Sequence, residues 1–190
     1  MFTVVFVLAL IAGLLIAALS IATRLRPALQ FWPPPSAASW QHILFRILFR
    51  IFFMSLVLLS FIALRNGNFM TWRLVIGIPL LLTGFGLALQ WTYLLGWPNA
   101  FGEARGLKID GPYRWSRNPI YVVSILGMLG WGLLVASWPV SSLLVMWALF
   151  YVVAPYLEEP WLERQYGEAF TSYKARVPRF IVLLPIQCLN

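Results

Sequence analysis

Long apolar runs alternate with short polar breaks along the chain, and this rhythm predicts helices that cross a membrane. Residues 2–22 carry no charge, are long enough to span, and are followed by Arg24 and Arg26. A secretory leader carries its positive charges before the apolar core, so these flanks fit a retained helix. The segment from Pro27 to Trp40 contains Pro33-Pro34-Pro35 and reads as a connector, because proline removes helical hydrogen bonds. A second span is expected from about Ile43 to Leu64, with Arg46 and Arg50 on one face of its first turns, where they can snorkel to the headgroups. The polar turn Arg65-Asn66-Gly67-Asn68 leads to a third span, about Leu74 to Leu95, in which Gly77, Gly84 and Gly86 allow close helix packing. Pro119 to about Ser137 forms a fourth, joined through Trp138-Pro139 to a fifth that ends near Leu157. So short a turn makes the last two spans an antiparallel hairpin. After Pro160, Leu162, Tyr166, Phe170, Tyr173 and Val177 recur at helical spacing among charged residues, which predicts an amphipathic helix and not a sixth span.

Composition agrees with this pattern. With 61% hydrophobic and 11% charged residues, and a mean hydropathy of +0.81, the chain has too much apolar surface for an ordinary soluble domain. The expected fold class is therefore all-α: an integral membrane protein with about five transmembrane helices and a cytoplasmic amphipathic helix. The net charge of +8 does not indicate nucleic acid, because the basic residues punctuate apolar runs and form no stripe on a soluble face. They read as topology signals. With the amino terminus outside, the inner segments hold Arg24, Arg26, Arg105, Lys108, Arg114, Arg117, Arg164, Lys174, Arg176 and Arg179, and the outer turns hold Arg65 and Arg73. The positive-inside rule favours that orientation. The single cysteine, Cys188, excludes an internal disulfide and a cysteine metal cluster, and the lone His42 argues against a zinc or haem site. No metal site is expected.

Two polar clusters carry the candidate chemistry: Gly111-Pro112-Tyr113-Arg114-Trp115-Ser116-Arg117-Asn118-Pro119-Ile120-Tyr121, and the carboxylate pair Glu158-Glu159. From Pro119 to Ser137 a helix rises about 28 Å, close to one hydrocarbon thickness, and the return helix has a similar length. The clusters therefore finish on the same side of the membrane. Asn118 before Pro119 is a helix-start signal, since Asn caps free N–H groups and Pro suits the first helical position. That helix end, with Arg114 and Arg117 beside it, favours an anionic group. The same residues also fit a capped membrane helix with arginines reaching for headgroups. Glu158 and Glu159 are expected at a helix C-terminus, where the dipole and their mutual repulsion call for a cation. Arg114, Arg117 or Arg164 can supply it, or the ammonium of a ligand whose carboxylate sits at the Asn118-Pro119 corner.

The order Gly111-Pro-Tyr113-x-x-x-Arg117-Asn-Pro119-x-Tyr121, then Glu158-Glu159, then Tyr166-Gly167-Glu168 and Tyr173-x-x-Arg176-Val177-Pro178, resembles the carboxy-terminal half of isoprenylcysteine carboxyl methyltransferases. The likeness covers roughly residues 105–180. Related patterns occur in membrane phospholipid N-methyltransferases and in the tail of sterol reductases, so the motif marks a wider membrane fold. The chain is expected to form one membrane domain over 1–190, with a three-helix part over 1–95 and a cofactor-binding methyltransferase part over 96–190. The resemblance implies S-adenosylmethionine as cofactor, with S-adenosylhomocysteine as product. The ligand would be held by Arg105, Gly106, Leu107 and Lys108, by Tyr113, by Asn118, Pro119, Ile120 and Tyr121, and by Glu158 with Glu159. The implied acceptor is lipophilic, such as a prenylcysteine or a lipid; the position of Arg117 just before the helix start makes it the residue expected to orient the acceptor's carboxylate for methyl transfer. Two positions depart from the family: Asn118 stands where it usually has His, and Ala154 stands near where eukaryotic members place a substrate-binding Arg.

Membrane orientation is the first testable expectation. A cysteine introduced at Asn66 should react with an impermeant thiol reagent from outside the cell, and one at Gly106 should not; the reverse labelling would invert the orientation.

Overall fold

A computed structural model of the protein describes residues 2–36, 38–67, 70–100 and 106–180. Arg105 and Cys188 lie outside the described residues. Helix α1 covers Phe2–Leu25, α2 Trp40–Asn66, α3 Thr71–Leu95, α4 the single turn Trp97–Ala100, α5 Pro119–Val135, α6 Trp138–Tyr166 and α7 Glu168–Arg176. Among the described residues there is no strand. Short 3-10 turns stand at Pro27–Leu29 and Gly111–Arg114. Helices α1, α2, α3 and α6 are long and apolar enough to cross a membrane. The 17 residues of α5 rise about 25 Å, at the short limit for a span. In a bilayer core the helix is the natural solution for such runs, because it satisfies its own backbone polar groups.

Several boundaries move for local reasons. The Ser39 hydroxyl accepts the His42 N–H at 3.3 Å, so α2 starts at Trp40, earlier than the apolar pattern alone implied. The larger correction is at the carboxyl side of α6. This helix does not end near Leu157 but continues through Pro155 and Pro160 to Tyr166. Each proline leaves one carbonyl four residues back without its helical partner, and neither breaks the helix here. The break comes at Gly167, whose φ of +52° is a left-handed value that glycine tolerates. The amphipathic helix expected from Leu162 to Val177 is therefore two pieces, the end of α6 and the short α7. Glu158 and Glu159 consequently lie two turns inside α6, and the helix-end dipole argument for them does not apply.

The buried core runs between α1, α2 and α6: Ala9, Ala12 and Ile16 face Phe52, Leu56 and Leu59, with Val140, Leu143 and Trp147 closing the third side. The most extensive helix contact is made elsewhere, by α3 against α5. Their backbones meet at glycines: a Cβ on Gly84 would collide with the backbone of Gly127, and one on Gly130 with that of Leu81. Gly77 likewise sits against Gly130 O, 3.1 Å from where its Cβ would stand. Of the three glycines in α3 singled out above, Gly86 alone is open, with no heavy atom within 4 Å. An aromatic bridge joins this pair to the core. Phe85 meets Trp131 at 6.0 Å and Trp147 at 6.3 Å, and Phe53 meets both tryptophans. The Trp131 indole also donates to Ser60 Oγ at 2.9 Å, tying α5 to α2.

The glycine seam makes a paired prediction. Gly84→Ala should lower the thermal stability of the detergent-solubilised protein by at least about 1–3 kcal/mol, the usual cost of overpacking. Gly86→Ala should be neutral or slightly stabilising. Equal behaviour of the two variants would show that the helices do not meet at Gly84.

Candidate functional site

The turn between α5 and α6 returns the chain across the membrane, and Glu158 comes twenty residues after Trp138, about 30 Å along the helix. This brings the two polar clusters together at one end of the bundle. The Tyr121 hydroxyl donates to Glu158 Oε1 at 2.8 Å, and an Arg117 Nη lies 3.1 Å from Glu159 Oε1. Tyr121 also stacks on Tyr151 of α6, with ring centroids 4.6 Å apart.

The adjacent carboxylates live in opposite surroundings. Glu158 Oε1 accepts from two neutral donors, Tyr121 and the indole of Trp32, each at 2.8 Å. Among the described residues no cation faces it. Glu159, only 6% exposed, is surrounded by cations. Arg179 grips it through Nε at 2.8 Å and Nη at 2.7 Å, Arg117 adds its contact, and Lys174 stands 3.8 Å away. The fork geometry of Arg179 is the strong form of a carboxylate pair. Its ion pair with Glu159 raises the Arg179 guanidinium above its usual range, and the same group lies 3.9 Å over the Tyr156 ring. Of the three cations expected to answer the carboxylates, Arg117 does so. Arg114 and Arg164 make no ion pair with them among the described residues.

Arg117 has capacity left. Its side chain is 9% exposed, and its Nε and second Nη are buried with no hydrogen-bond partner among the described residues. A buried unpaired donor is costly, so this one is a place where an acceptor from outside the chain would be gained.

Asn118 differs from expectation. No side chain caps α5; instead Asn118 Nδ2 donates to the Arg179 carbonyl at 3.0 Å, and the buried Ser116 hydroxyl donates to the same oxygen at 3.2 Å. The Ser116 hydroxyl also accepts the Asn118 N–H at 3.0 Å. Asn118 thus joins two chain segments, its amide nitrogen held by the carbonyl of Arg179. The Arg117 N–H completes this clasp by donating to the Pro178 carbonyl at 2.9 Å. A further tie comes from α7, where the Tyr173 hydroxyl donates to the Tyr113 carbonyl at 2.7 Å. Burial pushes the Tyr173 phenol up to about 12. Burial first, then Tyr173 and Glu158, raise the Tyr113 phenol still further.

Pro119 and Ile120 lie in the first turn of α5 beside this corner. Gly106, Leu107 and Lys108 form an irregular stretch, with Gly106 at φ +105° and only Leu107 partly covered. Among the described residues no hydrogen bond joins them to the carboxylates. Trp115 is 68% exposed and stays outside the cluster. Sequence reasoning missed Trp32, Tyr151 and Arg179 as members of the site, and gave Ser116 no role within its cluster. For Arg179, the unmet need of two adjacent carboxylates was a usable signal. For Trp32, 126 residues from its partner, there was none.

The ion cluster around Glu159 makes the next prediction. Glu159→Gln leaves Arg117 and Arg179 without a counter-charge and should destabilise the folded protein by about 3–5 kcal/mol. Lys174→Met removes a half-exposed and distant partner and should cost less than about 1 kcal/mol. Thermal unfolding of both in one detergent checks the ranking.

Residues 72–169 match the phospholipid methyltransferase family, a stretch that runs from the start of α3 into α7 and includes both polar clusters. A curated relative is the cobalt-zinc-cadmium resistance protein CzcN of Cupriavidus metallidurans, 35% identical over 81 residues, which is 42% of this chain and 37% of that protein. The match thus spans little more than a third of the relative's length. No solved structure matches the chain significantly. With more than half of its residues matched, and the matched part built from membrane helices that converge on paired carboxylates, the chain belongs to the phospholipid methyltransferase family of integral membrane methyltransferases.

Proposed function

We propose that the protein is an S-adenosylmethionine-dependent methyltransferase that methylates the carboxylate of a lipophilic acceptor, as isoprenylcysteine carboxyl methyltransferases do. The observation that carries the reading is the buried Arg117 guanidinium with two unpartnered nitrogens, Nε and one Nη. It is a ready partner for an anionic group, and its planar fork suits a carboxylate.

The residues present fit the cofactor. Glu158 is a carboxylate held by neutral donors and facing no cation among the described residues, which is a place for an ammonium. The residues proposed to hold the ligand are Arg105, Gly106, Leu107, Lys108, Tyr113, Asn118, Pro119, Ile120, Tyr121 and Glu158; Glu159, also expected there, is occupied by Arg117, Lys174 and Arg179. When bound, S-adenosylmethionine supplies an electrophilic methyl group on a sulfonium. The chain's own task is to bind and orient. A carboxylate acceptor is already ionised at neutral pH, so no residue has to remove a proton from it. Positioning by Arg117 and exclusion of water among the apolar helices suffice. The acceptor would enter from the bilayer, and the site would face the cytoplasm.

A second reading, N-methylation of a phospholipid headgroup, has the family match in its favour. The same Arg117 could then hold the lipid phosphate. An amine acceptor must also lose a proton, and the Glu158 carboxylate is the better placed base for accepting it, because Glu159 is committed to three cations.

The test uses the purified wild-type protein, Glu158→Gln and Arg117→Lys. S-adenosylhomocysteine should bind wild type and bind Glu158→Gln more weakly by roughly 2–5 kcal/mol, the cost of unpairing a desolvated charge. Arg117→Lys should bind it like wild type while turning over a prenylcysteine carboxylate at least about tenfold more slowly, about 1.4 kcal/mol in the barrier. Methylation of phosphatidylethanolamine alone would select the second reading. Equal losses of cofactor binding and turnover in Arg117→Lys would move Arg117 to the cofactor.

A further inference from the structure

The family match begins at residue 72, yet one of the two donors on Glu158 comes from the connector between α1 and α2. That connector is strapped down across the polar end of the bundle. The Phe31 N–H donates to Thr23 Oγ1 at 3.0 Å, and Gln41 Nε2 donates to the Leu29 carbonyl at 3.1 Å. Phe31 is fully buried against Phe45, with centroids 6.1 Å apart. Trp32 lies on the same Phe45 ring at 4.5 Å, tilted by 31°. Pro33, Pro34 and Pro35 follow immediately and stiffen the chain that carries it. The indole thus has its ring fixed by stacking and its N–H aimed at Glu158.

Both donors, Trp32 and Tyr121, reach the same oxygen, Oε1. Two hydrogen bonds from separate chain segments, the α1–α2 connector and α5, hold the carboxylate in one rotamer, and Oε2 takes neither of them. We propose that Trp32 is a positioning residue for ligand-amine recognition: by clamping Oε1 from the α1–α2 connector, it presents Oε2 of Glu158 to the ammonium of the bound cofactor. This rests on the reading of Glu158 as the ammonium partner. It gives the first part of the chain, outside the family match, a share in the site. An indole suits the task because it donates without adding a positive charge that would repel the ligand's ammonium.

The experiment titrates two ligands against full-length protein in one detergent: S-adenosylhomocysteine, and its des-amino analogue, in which hydrogen replaces the amino group. Wild type should prefer the first, and Glu158→Gln should lose that preference. Trp32→Phe keeps an aromatic ring on Phe45 and removes the N–H. It should bind S-adenosylhomocysteine about tenfold more weakly while its affinity for the analogue changes by less than about twofold. Parallel losses for both ligands would make Trp32 a packing residue and overturn the proposal, as would no loss for either. A preference lost in Glu158→Gln but kept in Trp32→Phe overturns the role of Trp32 and leaves the cofactor reading standing. Wild type that binds neither ligand overturns the cofactor reading itself. If Trp32→Phe does not purify folded, Trp32→His, which keeps a ring N–H, should retain the wild-type preference; loss of that preference overturns the proposal.

Discussion

A carboxylate buried among cations holds the polar end of this protein together. Glu159 on α6 draws in Arg117 from before α5, Lys174 from α7 and Arg179 from the segment beyond it. These parts of the chain would otherwise repel one another, since each brings positive charge to the same small volume. Removing charge from water is expensive, and the cost is recovered only when geometry is good and the remaining donors are satisfied. Arg179 meets that condition with its two-pronged grip. Arg117 meets it in part, with one amino group engaged and two nitrogens, Nε and the other Nη, without a partner among the described residues. The imbalance separates a structural ion pair from a place where a ligand can bind.

The neighbouring carboxylate shows how one peptide step changes chemistry. Side chains one residue apart on a helix point about 100° apart, so Glu158 and Glu159 look into different compartments. Glu159 turns to the charged clasp of α7 and residues 178–179. Glu158 turns toward Tyr121, Tyr151 and the connector that bears Trp32. A single acid in this place would have to serve either stability or ligand recognition. On the proposed reading, the pair divides the two.

Much of the architecture was legible in the residues because lipid leaves the backbone few options. Uncharged runs of span length, the brief Trp138-Pro139 turn and the helical rise were enough to put Tyr121 and Glu158 at one end. What was hidden depended on particular partners. Pro160 looks like a stop, but proline forfeits one hydrogen bond and the helix around it survived, leaving Gly167 to make the break. Asn118 looks like a cap, but its amide nitrogen is turned to the Arg179 carbonyl, 61 residues along the chain, a partner no local rule could anticipate. Trp32 looked like part of a proline-rich connector. Its role depends on the path of that connector over the bundle, a property of the folded chain and not of any window within it.

The glycine seam between α3 and α5 has a mechanical consequence. Where Gly84 meets Gly127 and Gly130 meets Leu81, backbone comes against backbone, and the Leu134 and Phe85 side chains are packed tightly beside the seam. The two helices must therefore move as a single plank. Any sideways parting of the bundle that admits a long hydrocarbon molecule from the bilayer has to occur along another joint. The joints made of interleaved side chains, such as those α5 and α6 form with α2, can give way by rotamer changes and close again behind it.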